Sequence, residues 1–429
     1  MLLLLTKQHS SPPKYCVQLS KNSEDNMSTE SNIKLLICGS GNGAHAFAGI
    51  ASSKPGTEVR VLSLYQDEAE RWSKIMETAD LEVTCHRRDQ EPHVIKSKPA
   101  LVTKNPEEAA RNVDIIAFVL PAFAHKIFLE VLKPHIEPGM TIVGLPGASG
   151  LEFQVRGILG EKANDCTVMN FESLPWACRL GEFGTKCDVL GTKDTLVGAM
   201  QIGSGAAPKK DPVASLQYLL GEVPRLTVSG HLIAVSLMNP NACGHPSFMY
   251  GQWEGWDGKP VEEVPMFYTG VSEETAELYV KMSDECVQMG KVITEKTGAD
   301  MSQVVPMIQW DLRCYPNDIA DKTNMWTVLR TNAAYQGLKH PMKSTADGKF
   351  VPDFQHRYLT EDIPYGLAVI RGVGEIVGVK TPHIDKVLLW AQERVGKKYL
   401  EGDQFNGADV ASTRAPQAYG IFTVKDMMG

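Results

Sequence analysis

The sequence predicts an α/β protein: a parallel sheet with helices on both faces in the first half, then a mainly α-helical second half. Three observations carry that reading. Ile33-Lys34-Leu35-Leu36-Ile37-Cys38 is an apolar run of the kind a strand buried on both faces needs, and it leads through Gly39-Ser40-Gly41-Asn42-Gly43-Ala44 into His45 to Ala51, a helical run of small and apolar residues. Buried-strand patterns recur at 58–64, 114–120 and 140–145, with helical stretches between them. From about Asp211 the apolar residues fall at helical spacing, above all in 272–297, 322–331 and 381–395.

Taken in order, residues 1–31 are rich in Ser, Pro, Lys, Gln and Asn and read as a disordered leader, with Met27 an alternative start. Residues 32–232 then form a Rossmann-type dinucleotide-binding domain. Gly39, Gly41 and Ala44 fit its fingerprint, which permits Ala in third place. Gly39 allows the tight turn, the bare backbone of Gly41 admits a pyrophosphate, and Ala44 lets helix and strand pack closely. The helix start beyond them offers free N–H groups and the positive end of its dipole. These three, with the intervening Asn42 and Gly43, are the candidate cofactor-binding residues.

The next strand, 58–64, should end in an acid that holds the ribose hydroxyls, about twenty residues past the glycines. Ser63, Leu64 and Tyr65 occupy that place, so an atypical adenosine contact is expected. Arg60 beside the strand is no obvious partner for a 2′-phosphate, which favours NAD over NADP. A helix at 67–76 follows, then short strands at 81–84 and 93–97 around the polar turn 87–90, read as an inserted hairpin. Asn105 caps a helix with Glu107 and Glu108 in its first turn. The strand 114–120 ends in Pro121-Ala122-Phe123-Ala124-His125. Ligands bind outside the carboxyl ends of such strands, so Pro121 joins the cofactor set. The strand 140–145 ends likewise in Pro146-Gly147-Ala148-Ser149-Gly150. Residues 165–204 alternate strand-like runs with turns, 225–237 reads as a hinge, and a mainly helical domain fills 237–429.

Composition narrows the function. A formal net charge of -8 without a basic patch argues against nucleic acid and anionic membrane surfaces as partners. Nine scattered cysteines without a C-x-x-C pair fit free thiols in a reducing cytosol, with neither a disulfide framework nor a metal site expected. No apolar stretch approaches the ~20 residues of a transmembrane helix.

Chemistry at a dinucleotide needs a proton donor, and histidine is the side chain matched to neutral pH. Of 11 histidines, His245 in Asn241-Ala242-Cys243-Gly244-His245-Pro246 stands directly after the expected hinge, with Pro246 marking a helix start. Asp362, in Arg357-Tyr358-Leu359-Thr360-Glu361-Asp362-Ile363-Pro364, is a carboxylate that could orient an imidazole or simply open the next helix. Arg357 beside it could clamp a phosphate or pair with a surface acid.

Several segments together resemble the opine dehydrogenases of marine invertebrates, the family of octopine dehydrogenase. They are Cys38 to His45, Val59-Arg60-Val61-Leu62, Pro121 to His125, Val143-Gly144-Leu145-Pro146, Leu174-Pro175-Trp176-Ala177-Cys178-Arg179, Trp256-Asp257-Gly258-Lys259-Pro260, Arg357 to Pro364, and Pro416-Gln417-Ala418-Tyr419-Gly420. The resemblance implies a cytoplasmic, commonly monomeric NADH enzyme that reductively condenses pyruvate with an amino acid and regenerates NAD in anaerobic glycolysis. It implies His245 as acid/base, Asp362 as its partner, Arg357 as the residue reaching the NADH pyrophosphate, and Trp310, Cys178, Ser173 and Ala148 as substrate-cleft positions. Where octopine-forming members hold Gln, Met and Tyr, this chain has Ala148, Asn239 and Asn241, and Ser173 replaces Thr. A site without acceptors for a guanidinium rejects arginine, so a small donor such as alanine or glycine is expected, giving alanopine or strombine. Arginine, β-alanine and taurine are the alternatives. A non-catalytic NADH-binding sensor and a simple 2-hydroxy-acid dehydrogenase are the competing classes.

Overall fold

A computed structural model describes residues 32–87 and 91–429. The expected leader (1–31) and residues 88–90 of the expected hairpin turn lie outside the described residues. The first half runs β1 (Ile33–Cys38), α1 (Asn42–Ser52), β2 (Thr57–Leu62), α2 (Glu68–Ile75), β3 (Leu81–Cys85), β4 (His93–Ser97), β5 (Leu101–Thr103), α3 (Pro106–Ala110), β6 (Ile115–Phe118), α4 (His125–Leu132), β7 (Thr141–Gly144), α5 (Leu151–Leu159), β8 (Thr167–Phe171), β9 (Trp176–Glu182), β10 (Lys186–Thr192), β11 (Thr195–Ile202), α6 (Pro212–Leu220) and β12 (Arg225–Val228).

Eight of these strands form one sheet in the order β12-β11-β8-β7-β6-β1-β2-β5. It is parallel from β8 to β5, and β11 joins β8 antiparallel. The chain leaves β1 toward β2 and β5 and later returns on its other side through β6, β7 and β8. The order therefore reverses between β1 and β6, and the crevice at such a reversal is where this architecture binds ligands. Alternate residues of β1 face opposite cores: Ile33, Leu35 and Ile37 pack under α1 and α6, while Leu36 and Cys38 pack under α3, α4 and α5. Burial on both faces is why the strand reads as one unbroken apolar run.

The expected hairpin exists as the antiparallel pair β3–β4. It extends into a second sheet, β4-β3-β10-β9, because β10 pairs parallel with β3. Nothing local in the sequence encodes that long-range pairing.

The second half comprises α7 (Leu232–Leu237), α8 (Pro240–Trp253), α9 (Glu273–Thr297), α10 (Met307–Cys314), α11 (Met325–Thr331), the small ribbon β13 (Met342–Ser344) and β14 (Phe350–Pro352), α12 (Arg357–Thr360), α13 (Ala368–Val377), α14 (Pro382–Val395) and α15 (Val424–Met428). Local rules set its helix ends. Ser272 caps α9 by accepting from Thr275 N–H, and Gly298 closes it in the left-handed region at φ +74°. Phe248, Met249, Met282, Cys286, Met289, Val373 and Leu388 are among the fully buried residues of its single core. The segment expected as a hinge is itself built in, since β12 pairs with β11 and α7 has six buried residues.

Candidate active site

The glycine turn leaves β1 with Gly39 at φ +113°, where an added Cβ would lie 2.8 Å from the Val119 carbonyl oxygen. Both the backbone angle and the space exclude a side chain. Gly41 is the N-cap of α1, no side chain caps that helix, and a Cβ at Gly41 would meet nothing within 4 Å. The first-turn N–H groups thus face an open approach. Gly43 abuts Val119 and Leu174, Ala44 is fully buried, and Asn42 Oδ1 accepts the Leu180 N–H at 3.0 Å, tying the second sheet to the helix start.

The acid missing from the end of β2 arrives from α2. Glu68, in the first turn of that helix, reaches back and accepts from the Ser40 hydroxyl, which in turn accepts from Ser63 at 2.7 Å. A carboxylate therefore stands beside the glycine turn after all, a few residues later than the usual spacing. Arg60 is committed elsewhere, to Glu58 and to carbonyls at the end of α3.

Hydrogen bonds of Glu361, Asn239 and Arg414 are among those that hold the helical half over the carboxyl ends of β6 and β7. Glu361 Oε1 accepts the Ala122 N–H at 2.9 Å, in the loop that begins at the exposed Pro121. Asn239, the N-cap of α8, donates to Ser149 Oγ at 3.2 Å in the loop after β7. Fully buried Arg414 donates to the carbonyls of Ala122, Gly147 and Ser149 and to His125 Nδ1. Burial pulls Arg414 down to about 10, so it stays charged at neutral pH. Burial and that guanidinium push His125 well below its ordinary value, leaving a neutral ring that donates from Nε2 to the Leu120 carbonyl.

Within this frame His245 and Asp362 meet, although 117 residues apart: Nδ1–H donates to Oδ2 at 2.7 Å, with side chains 10% and 13% exposed. His245 lies inside α8, since the helix begins at Pro240 behind its Asn239 cap. Pro246 is therefore an interior proline and does not mark the start. Asp362 follows α12 and leads into a π-helical turn, Ile363–Leu367, a geometry frequent at functional sites. The Tyr358 ring lies 3.9 Å from the imidazole, and Tyr268 Oη is 2.9 Å from Nε2. Arg357, 63% exposed, pairs with Glu361 Oε2 at 2.8 Å.

Of the expected cleft residues, Trp310 donates from Nε1 to Glu172 Oε2 at 2.9 Å, and Arg313 holds the same oxygen at 2.6 Å. Neighbouring Ser173 has a buried Oγ without a hydrogen-bond partner. Ala148 is half-buried at φ +57°, its carbonyl and the Gly147 N–H held by Asn170. Cys178 is placed differently from the other three: its side chain is buried with Cys187 in the core beneath α1, because residue alternation along β9 turns it inward. Among the described residues no cluster of three or more His, Cys, Asp or Glu could hold a metal, and no helix is long and apolar enough to cross a membrane.

Residues 228–395 match the alpha-helical domain of the NAD/NADP octopine/nopaline dehydrogenases. The chain is 51% identical to a tauropine dehydrogenase of Arabella iricolor, over 92% of this chain and all of that one. It belongs to the opine dehydrogenase family. Two solved octopine dehydrogenase structures are similar throughout. The first, with NADH and L-arginine, is 42% identical with a TM-score of 0.88, covering 92% of this chain and 98% of that one. The other, with NADH and pyruvate, is 41% identical with a TM-score of 0.86, covering 92% and 97%. The family is NAD(H)-dependent, and this opine dehydrogenase is an NAD-dependent oxidoreductase. Glu68, Tyr268, Glu172, Glu361 and Arg414 went unmarked in the sequence. Only Glu361 stood in a family motif, and the others carry no local signal that singles them out.

Proposed function

We propose that this opine dehydrogenase reductively condenses pyruvate with a small amino donor, alanine or glycine, regenerating NAD during anaerobic glycolysis as a cytoplasmic monomer. The observation that carries the reading is the His245–Asp362 pair, held beside the loops after β6 and β7 by Glu361, Asn239 and Arg414. The open α1 N-terminus behind Gly41 suits a pyrophosphate, so the residues present fit NADH. When bound, NADH supplies the hydride that reduces the imine formed from pyruvate and the amine. Asp362 keeps the proton on Nδ1, which leaves Nε2 as the nitrogen that gives and takes the proton of the reaction. Arg357, paired here with Glu361, would hold the pyrophosphate, and the free thiols suit a reducing cytoplasm.

Ala148, Asn239 and Asn241 support a small donor, and the Glu172 oxygen at Trp310 is already engaged by Arg313 and Trp310. A guanidinium would have to compete with both of them for that oxygen. Taurine is the second reading, favoured by the 51% identity to a tauropine dehydrogenase. With pyruvate fixed, alanine or glycine is expected to support the fastest loss of NADH absorbance, with arginine at least about tenfold lower in kcat/KM. Arginine as the best donor would contradict the reading.

Glu68 would take the part of the missing ribose acid and repel a 2′-phosphate through a like charge. Glu68→Gln is then expected to raise the NADPH-to-NADH ratio of kcat/KM by about tenfold, since one like-charge contact near a surface is worth on the order of 1 kcal/mol or more. An unchanged ratio would remove Glu68 from cofactor choice.

A further inference from the structure

Both ring nitrogens of His245 are already occupied. Nδ1 faces Asp362, and Nε2 faces the Tyr268 hydroxyl at 2.9 Å. Tyr358 lies over the imidazole and Phe267 meets it edge-on at 5.5 Å, so a substrate reaching Nε2 directly would have to displace Tyr268. Tyr268 is poorly placed to leave. Its ring stacks on Tyr335 at 4.1 Å with 14° between the planes, and it meets the edges of Phe248 and Phe267. Tyr335 is in turn anchored by donating to the buried Asp311 at 2.9 Å. The same aromatic chain continues through Tyr315 to Trp310. Tyr268 therefore lies between the histidine and the side of the cleft that Trp310 marks.

We propose that Tyr268 is a catalytic residue, the group whose Oη hands the proton to the substrate, with His245 Nε2 refilling it in the same event. In the reductive direction the Tyr268 O–H bond breaks as the substrate N–H bond forms. The His245 Nε2–H bond breaks as Tyr268 O–H re-forms. The ring is left neutral, with Nδ1–H on Asp362. The relay moves one proton net and transfers no electrons. Burial holds the Tyr268 phenol well above its ordinary value, so it does not persist as phenolate and must receive a proton as it gives one. Tyr268 stands 23 residues beyond His245, and that separation hides the contact from any local motif.

This inference rests on the proposed condensation. Its test is the single-turnover loss of NADH absorbance by enzyme preloaded with NADH, mixed with pyruvate and alanine in graded mixtures of light and heavy water. The wild-type rate is expected to fall along a bowed curve, the signature of two protons in flight. Tyr268→Phe is expected to lose about 10²-fold in rate, to follow a straight line, and to bind NADH within about twofold of wild type. A difluorinated tyrosine at position 268, which keeps the shape but acidifies the phenol, is expected to change the rate with the bowed curve preserved. A rate unaffected by Tyr268→Phe, a loss with the curvature intact, or a rate indifferent to phenol acidity overturns the relay. A wild-type enzyme that oxidises no NADH with any donor overturns the condensation itself, and the relay with it.

Discussion

His245→Ala is expected to lower kcat by about 10²-fold or more, and Asp362→Ala by a similar factor, while each variant still binds NADH with wild-type affinity. The asymmetry follows from the architecture. The glycine turn, α1 and Glu68 belong to the parallel-sheet half, whereas His245 and Asp362 lie on α8 and at the π-turn. Removing the imidazole removes the proton source and leaves the dinucleotide cradle untouched. Removing the carboxylate frees the ring to take either tautomer, so Nε2 no longer has a settled role. The double variant should lose little more than either single one, since the two residues act as a unit. Steady-state kinetics with fluorescence titration of NADH checks all three. An NADH affinity that collapses with kcat would mean that the pair supports the fold and not the reaction.

Arg357→Ala is expected to weaken NADH binding about tenfold or more while barely moving the melting temperature. Its ion pair with Glu361 is 63% exposed on the arginine side, and such a pair contributes only about 0–1 kcal/mol to stability. A guanidinium so lightly held can transfer to a pyrophosphate, where paired charge-assisted hydrogen bonds are stronger. Glu361 keeps its second oxygen on the Ala122 N–H, so the interdomain contact survives the exchange. Arg357→Lys should restore charge but not the paired geometry and recover affinity only in part. Unchanged NADH affinity and turnover in Arg357→Ala would leave the arginine as an ordinary surface residue.

The sheet half was legible where burial writes a local pattern. Ile33 to Cys38 is apolar throughout because both of its faces are covered, and Gly39 is glycine because neither its φ nor the nearby Val119 carbonyl tolerates a Cβ. Helix starts at Asn105, Asp211 and Ser272 were legible because each side chain accepts a backbone N–H of the first turn. Other features depend on contacts far apart in the chain. The β3–β10 pairing joins segments about a hundred residues apart, and Glu68 stands beside the glycine turn only because α2 folds back on it. His245 stood out among 11 histidines by its place after the expected hinge and then by the family resemblance, and Pro246 misled because proline belongs at the start of a helix more often than inside it. Tyr268 lies in a stretch without periodicity, and only the fold brings it to Nε2.

The most direct measurement follows NADH absorbance with pyruvate alone, with an amino donor alone, and with both together. Reductive condensation predicts oxidation only when both are present, one NADH per opine formed. Steady oxidation with pyruvate alone would contradict it and make the enzyme a 2-hydroxy-acid dehydrogenase.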